Sequence, residues 1–256
     1  WTCCGASAAE SVSQLLSLAL PARNLALAEK MGEPGEILVP CSACYLNLKK
    51  VEEKIRKDPD VHRLINEILS AEQLTLTGTV RVRHLLDVLV NDLDPDTIQS
   101  RLKRPLTDLI IAPYYGCQCL RPYPVFDDPE VPTSMEGLLT AAGARIHPWT
   151  MGGSCCGASQ MNTHTEIALE KVGNILQAAQ GANVIVTVCP MCQMNLEAYQ
   201  KRASTVSRQN LGMTILYLPQ LLGLAIGLAE KKLRMDLNLS ITSGFRDDIE
   251  RISVPA

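Results

Sequence analysis

The chemistry in this chain is carried by cysteine, of which there are ten in 256 residues. Cys3-Cys4-Gly5-Ala6-Ser7 recurs letter for letter as Cys155-Cys156-Gly157-Ala158-Ser159. Each copy is followed by a Cys-x-x-Cys: Cys41 to Cys44 after the first, Cys189 to Cys192 after the second. Asn47-Leu48 and Asn195-Leu196 then stand at matching offsets. Cys117 precedes the second copy, with Cys119 close behind it. A disulfide framework is the plain reading of many cysteines, but it belongs to small secreted domains. Adjacent cysteines and Cys-x-x-Cys pairs suit a metal or a redox couple better. Thiolates are soft ligands, taken by zinc and by iron–sulfur clusters. A structural zinc closes with four ligands, and the second set offers five.

These cysteines need elements to hold them. A third echo, Gly78-Thr79-Val80 before Leu85-Leu86 against Gly212-Met213-Thr214 before Leu221-Leu222, makes the chain two related halves. The expected division is residues 1–104 and 105–256. Segments 36–39, 108–112 and 184–188 are short, apolar and rich in β-branched residues, and read as buried strands. Each runs toward a cysteine: Cys41, Cys117 and Cys189. Segments 22–30 and 167–179 read as helices between them. Such alternation predicts an α/β fold, with small, mainly parallel sheets flanked by helices. Ligands of open α/β sheets sit beyond the carboxyl ends of the strands, which is where these cysteines fall.

Composition excludes other classes. Hydrophobic residues at 46% and charged residues at 20% allow a globular core. A net charge of -3, with only two Trp and two Phe, leaves neither a basic footprint nor a stacking platform for nucleic acid. The apolar stretch 214–229 is broken by Pro219 and Gln220, so it reads as a strand and a helix and not as a membrane span. No signal peptide is visible, and a cytoplasmic location is expected.

The order Cys117, Cys155-Cys156-Gly157, Cys189-x-x-Cys192 resembles the cysteine-rich CCG domain. The likeness to the B-type subunits of heterodisulfide reductase, including their homologues in sulfur oxidisers, is closer still. Tyr115-Gly116-Cys117, Leu120-Arg121-Pro122, Asp127-Asp128-Pro129, Val186-Thr187-Val188-Cys189-Pro190 and Leu221-Leu222-Gly223 share it. The resemblance implies two CCG domains and two 4Fe–4S clusters of the noncubane type. Cys117, Cys155, Cys156, Cys189 and Cys192 would bind one; Cys3, Cys4, Cys41 and Cys44 would supply four ligands of the other. The leading cysteine of the first motif is expected some thirty to forty residues before Cys3, ahead of Trp1. Either the native chain is longer and carries it, which is the favoured account, or the first site is altered, with four thiolates sufficing for a cubane cluster.

The resemblance further implies thiol–disulfide redox chemistry, or oxidation of a sulfur substrate, in an oxidoreductase complex of which this chain is one subunit. No G-x-G-x-x-G nucleotide fingerprint is present, so electrons must arrive from elsewhere. The implied partners are an iron–sulfur C-type subunit and a flavin-bearing A-type subunit. A pure electron-transfer module and a structural zinc protein are the alternatives. The particular thiol or disulfide has no motif of its own.

Other residues carry weaker signals. His147 and His164 flank the second cysteine pair, where a histidine could donate a proton to a leaving thiolate; a supporting or surface role is the plainer reading. Arg121, beside Cys117 with Tyr114 and Tyr115, could bind a carboxylate or phosphate, or pair with Asp127 or Asp128. His84 reads as a satisfied core or turn residue. Met151, Met161, Met191 and Met194 read as adaptable packing. Cys119 is a replacement ligand, a resolving thiol or a small buried side chain.

Overall fold

The computed structural model describes residues 1–32 and 35–252. It divides into two compact units: Trp1–Leu85 with Arg121–Tyr123, and Leu86–Leu120 with Pro124–Ala256. The division falls earlier than residue 104. The cause is apolar: Leu86, Ile98 and Leu106 are buried in the core of the second unit, with Leu89, Val90 and Leu102 packed on it.

The first unit is built on two parallel strands, β1 (Glu36–Val39) and β2 (Arg81–His84), in register from Glu36↔Arg81 to Val39↔His84. Helix Gln14–Lys30 is longer than segment 22–30 and runs through Pro21; Ser13 caps it by accepting from Leu16 N–H. Helix Ser42–Lys57 buries Tyr45, Leu48, Val51 and Ile55, one stripe at helical spacing. It stops at Asp58, which turns extended, and the same carboxylate then caps helix Pro59–Leu69 through the N–H groups of Asp60 and Val61. The loop entering β2 is fastened by Glu29, whose carboxylate accepts from the N–H groups of Thr77, Gly78 and Thr79 at 2.7, 2.8 and 2.9 Å.

The second unit has a four-stranded parallel sheet: β3 (Ile110–Tyr114), β4 (Arg145–Ile146), β5 (Val184–Thr187) and β6 (Thr214–Tyr217), in the order β4-β3-β5-β6. Alternating side chains send Ile111, Val184, Val186 and Leu216 into one apolar layer, and Ala112, Tyr114, Ile185 and Ile215 into the other. Helices Ser134–Ala141, Leu218–Ala225 and Ser243–Arg251 fill the first layer with Met135, Leu139, Leu221 and Phe245. Helices Thr165–Ala178, Pro190–Ala198 and Gln200–Ser207 fill the second with Val172, Ile175, Leu196 and Ala203.

Strand β3 extends two residues past the expected 108–112 segment, through Pro113. Proline normally breaks an inner strand because it lacks the ladder N–H. Here the β4 ladder covers only Ile110 and Ile111, so no β4 residue stands beside Pro113; its carbonyl instead accepts from the Trp149 indole N–H at 3.2 Å. Among the described residues no helix is long and apolar enough to cross a membrane.

Candidate functional site

In the second unit both inner ladders end at one level, at Tyr114↔Thr187 and Thr187↔Tyr217. The cysteines begin just beyond. Cys189 is extended and forms the N-cap of helix Pro190–Ala198, with Pro190 at a position where its missing N–H costs nothing. Cys192 follows within the first turn. Cys155 and Cys156 sit on the turn before Gly157, whose φ of +81° is left-handed; a Cβ there would lie 3.0 Å from Ala168 Cα. Only glycine fits that position.

The turn brings Cys156 Sγ to 3.4 Å from Cys192 Sγ. Gly157 N–H donates to Cys155 Sγ at 3.4 Å. The backbone of Gly116 runs over the Cys192 sulfur, since a Cβ there would stand 3.1 Å from Cys192 Sγ, and Cys117 follows directly. Cys156, Cys189 and Cys192 are buried, Cys117 and Cys155 half-buried. Their gathering shows in the acidities. The Cys192 thiol beside it holds Cys156 below the usual thiol value, while Cys192, hydrogen-bonded to Cys156 and Cys189, is pushed well above it. The phenol of Tyr114 is pushed up by burial first, and then by negative charge on Cys192, Cys156, Cys117 and Cys155. Cys156, Cys189 and Cys192 thus share one buried layer, and Cys117 and Cys155 act electrostatically on Tyr114 in the same layer.

The first unit repeats the arrangement locally. Its ladder ends at Val39↔His84, and Cys41, extended, is the N-cap of helix Ser42–Lys57. Cys4 Sγ lies 3.2 Å from Cys44 Sγ, and Gly5 N–H donates to Cys3 Sγ at 3.4 Å. Gly5 has φ +88°, and a Cβ on it would meet Ala9 Cβ at 2.5 Å. The Cys44 thiol lowers Cys4 to about 5, and Cys44, bonded to Cys4 and Cys41, is raised in turn. This site is more open: Cys3 is exposed, and Cys41 and Cys44 are half-buried. Among the described residues no two cysteines form a disulfide.

Cys119 stands apart. It is fully buried in the apolar layer with Leu109 and Leu120, whereas Cys156, Cys189 and Cys192 line the opposite layer; its thiol donates to Tyr115 carbonyl at 3.2 Å. It is a core side chain.

The weaker candidates separate as well. His147 bonds through Nε2 to the Ala178 carbonyl at 3.0 Å, and its ring lies 6.3 Å from that of Trp149. His164 is exposed at the start of helix Thr165–Ala178. Arg121 belongs to the first unit, and the carboxylates of Asp127 and Asp128 accept from backbone N–H groups of their own loop. His84 is wholly buried, 3.2 Å from Ser42 Oγ and edge-on to Tyr45. Met161 is buried, and Met151 and Met191 pack on the same layer; Met194, 59% exposed, does not join them.

In the sequence Asn47 and Asn195 stand out only as echoes. In the structure Asn195 Nδ2 donates to Cys156 carbonyl at 2.9 Å, and Asn47 Nδ2 to Cys4 carbonyl at 3.2 Å. Their matching offset is the one signal that points to them.

Soft sulfur donors, low dielectric and N–H groups aimed at sulfur fit an iron–sulfur group. Among the described residues no three His, Cys, Asp or Glu side chains are drawn together tightly enough for one metal ion.

Fold and site together define a cysteine-rich α/β protein with a duplicated thiol motif, and the chain belongs to the CCG, cysteine-rich domain family, whose sequence model matches residues 1–49 and 111–197. It is 36% identical over 243 residues to the 8-methylmenaquinol:fumarate reductase membrane anchor subunit of Wolinella succinogenes, covering 93% of this chain and 84% of that protein. It is 30% identical over 259 residues to the B subunit of the ferredoxin/F420H2-dependent CoB-CoM heterodisulfide reductase of Methanosarcina acetivorans, covering 98% of this chain and 85% of that one. The crystal structure of a hypothetical protein from Helicobacter pylori superposes with a TM-score of 0.71 at 18% identity, over 90% of this chain and 43% of that one, and shares the fold.

Proposed function

We propose that this protein is an iron–sulfur subunit of the heterodisulfide reductase type, carrying two 4Fe–4S clusters and working within a multi-subunit complex. Cys117, Cys155, Cys156, Cys189 and Cys192 hold one cluster, in the noncubane arrangement; Cys3, Cys4, Cys41 and Cys44 hold the other. The carrying observation is the convergence of the second motif's thiols beyond the ends of β3 and β5, with Cys156 and Cys192 sulfurs at 3.4 Å. Clusters supply electrons one at a time, whereas cleaving a disulfide takes two electrons and two protons to give two thiols. An iron–sulfur C-type subunit and a flavin-bearing A-type subunit would deliver those electrons.

The chain's own residues prepare the sites. Gly5 and Gly157 supply the left-handed turns, and Gly5 N–H and Gly157 N–H polarise the first sulfur of each pair. Any proton on a ligand thiol would leave as metal binds, so loading should release protons.

The test is iron and acid-labile sulfide analysis of anaerobically purified protein. Iron and sulfide in comparable amounts are expected; stoichiometric zinc without sulfide would overturn the reading.

A second reading rests on the likeness to the Wolinella succinogenes protein. Here the clusters only relay electrons, and the chain docks on a membrane-associated redox complex. Turnover of a thiol or disulfide by the assembled complex favours the first reading; membrane association without such turnover favours the second.

A further inference from the structure

In both units an asparagine stands three residues after the second cysteine of the Cys-x-x-Cys, on the same helix face one turn on. Asn195 is 2% exposed, and its amide donates to the carbonyl of Cys156 at 2.9 Å. Asn47 is half-buried; its amide donates to the carbonyl of Cys4 at 3.2 Å and to that of Ala6 at 2.8 Å. Asparagine is a poor helix residue, and burying its amide is tolerated only where the hydrogen bonds are made. The helices themselves gain nothing from it.

The peptide units involved are the informative part. The carbonyl of Cys156 and the N–H of Gly157 belong to one planar group, and so do the carbonyl of Cys4 and the N–H of Gly5. Those N–H groups donate to Cys155 Sγ and Cys3 Sγ, both at 3.4 Å. An asparagine holding the carbonyl end fixes the plane and so the direction of the N–H at its other end. It also polarises that N–H, because hydrogen bonds in a chain strengthen one another.

We infer that Asn47 and Asn195 are positioning residues that set the reduction potential of their own centres, by locking the Cys-Gly peptide so that its N–H points at the first sulfur of the cysteine pair. This rests on the iron–sulfur reading above. Hydrogen bonds to ligand sulfur favour the more negative, reduced state of a cluster and raise its potential. Slackening the peptide removes part of that support.

The experiment compares Asn195→Ala, Asn195→Asp and Asn47→Ala with the wild type, all purified anaerobically. The readouts are iron and sulfide content, potentiometric titration followed by electron paramagnetic resonance, and iron release to a chelator. Each variant should shift its own centre to lower potential and leave the other at the wild-type value. Loss of an oriented outer partner should also weaken iron retention there, about 10- to 100-fold. The Asn195→Asp carboxylate cannot donate and should shift the centre in the same direction as alanine. If Asn195→Ala fails to fold, Asn195→Asp still reads the locked peptide, and Asn47→Ala, which also removes the direct 3.5 Å bond from Asn47 Nδ2 to Cys4 Sγ, still reads the direction of the shift. Loaded variants with wild-type potentials at both centres, or a shift upward, would overturn the inference while leaving the cluster reading intact. A wild type devoid of iron and sulfide would overturn both.

Discussion

The hydroxyl of Tyr114 donates to the carbonyl of Ser154 at 2.6 Å, tying the last residue of β3 to the residue before the Cys155-Cys156 pair. Tyr114 is fully buried. Removing the hydroxyl leaves the Ser154 carbonyl without this donor and loosens the turn. Tyr114→Phe should therefore cost about 1–3 kcal/mol in denaturant unfolding, the penalty of an unpaired buried polar group. It should also broaden or shift the paramagnetic signal of the second centre.

The two apolar layers of the four-stranded sheet separate Cys156, Cys189 and Cys192 from Cys119. Cys156→Ser and Cys189→Ser should lower iron and sulfide content and abolish or convert one paramagnetic signal. Cys119→Ser, still able to donate to the Tyr115 carbonyl, should keep the wild-type iron content and spectrum. Iron loss in Cys119→Ser, with Cys156→Ser unaffected, would reverse the assignment.

Gly157 tests the turn. Alanine there must adopt φ +81° and push against Ala168 Cα, so Gly157→Ala should destabilise by about 1–2 kcal/mol from the backbone alone. Gly137, in helix Ser134–Ala141 with open space around its Cβ position, is the control. Gly137→Ala should stabilise by about 0.5–1 kcal/mol. Thermal unfolding of the two variants should therefore move in opposite directions.

Glu29 gives the first unit a pH response. Burial opposes its charge, but the N–H groups of Thr77, Thr79 and Gly78 and the Thr77 hydroxyl outweigh it, and the carboxyl is held below its ordinary value. Its contribution is complete above the unfolded pKa of about 4.3 and fades as pH falls through the lower folded value. Glu29→Gln should be less stable than wild type at pH 7, and urea titrations should show that gap closing in acid.

Much of this architecture is legible in the residues. β1 is, because an apolar run ends abruptly at Pro40 and Cys41. The Gly78 and Gly212 echoes mark β2 and β6, each leading straight into a helix. β3 reads two residues early in the sequence, at 108–112 against Ile110–Tyr114, because proline argues against a strand, and only the brevity of β4 makes Pro113 acceptable. The sequence draws the division near residue 105 and the compact units part at Leu85, because the apolar stripe of helix Leu85–Asn91 shows that it must be buried, not in which core. Cys119 stays undecided for a related reason: spacing puts it near Cys117, but the side of the sheet it enters depends on the turn between them. The cysteine pairs and Cys-x-x-Cys motifs stand out by spacing alone, whereas the hydrogen bonds of Asn47 and Asn195 require knowing which carbonyls face them.

Both ladders that lead to a Cys-x-x-Cys stop two residues short of it: Val39↔His84 before Cys41, and Thr187↔Tyr217 before Cys189. Successive strand residues face opposite ways, so that interval behaves as a quantised spacer. Deleting a single residue between Val184 and Cys189 should rotate the thiol into the layer that holds Cys119, breaking up the thiol group without removing any cysteine. A change of one residue in either step should therefore cost far more than the same change in the mostly exposed stretch between Leu120 and Ser134.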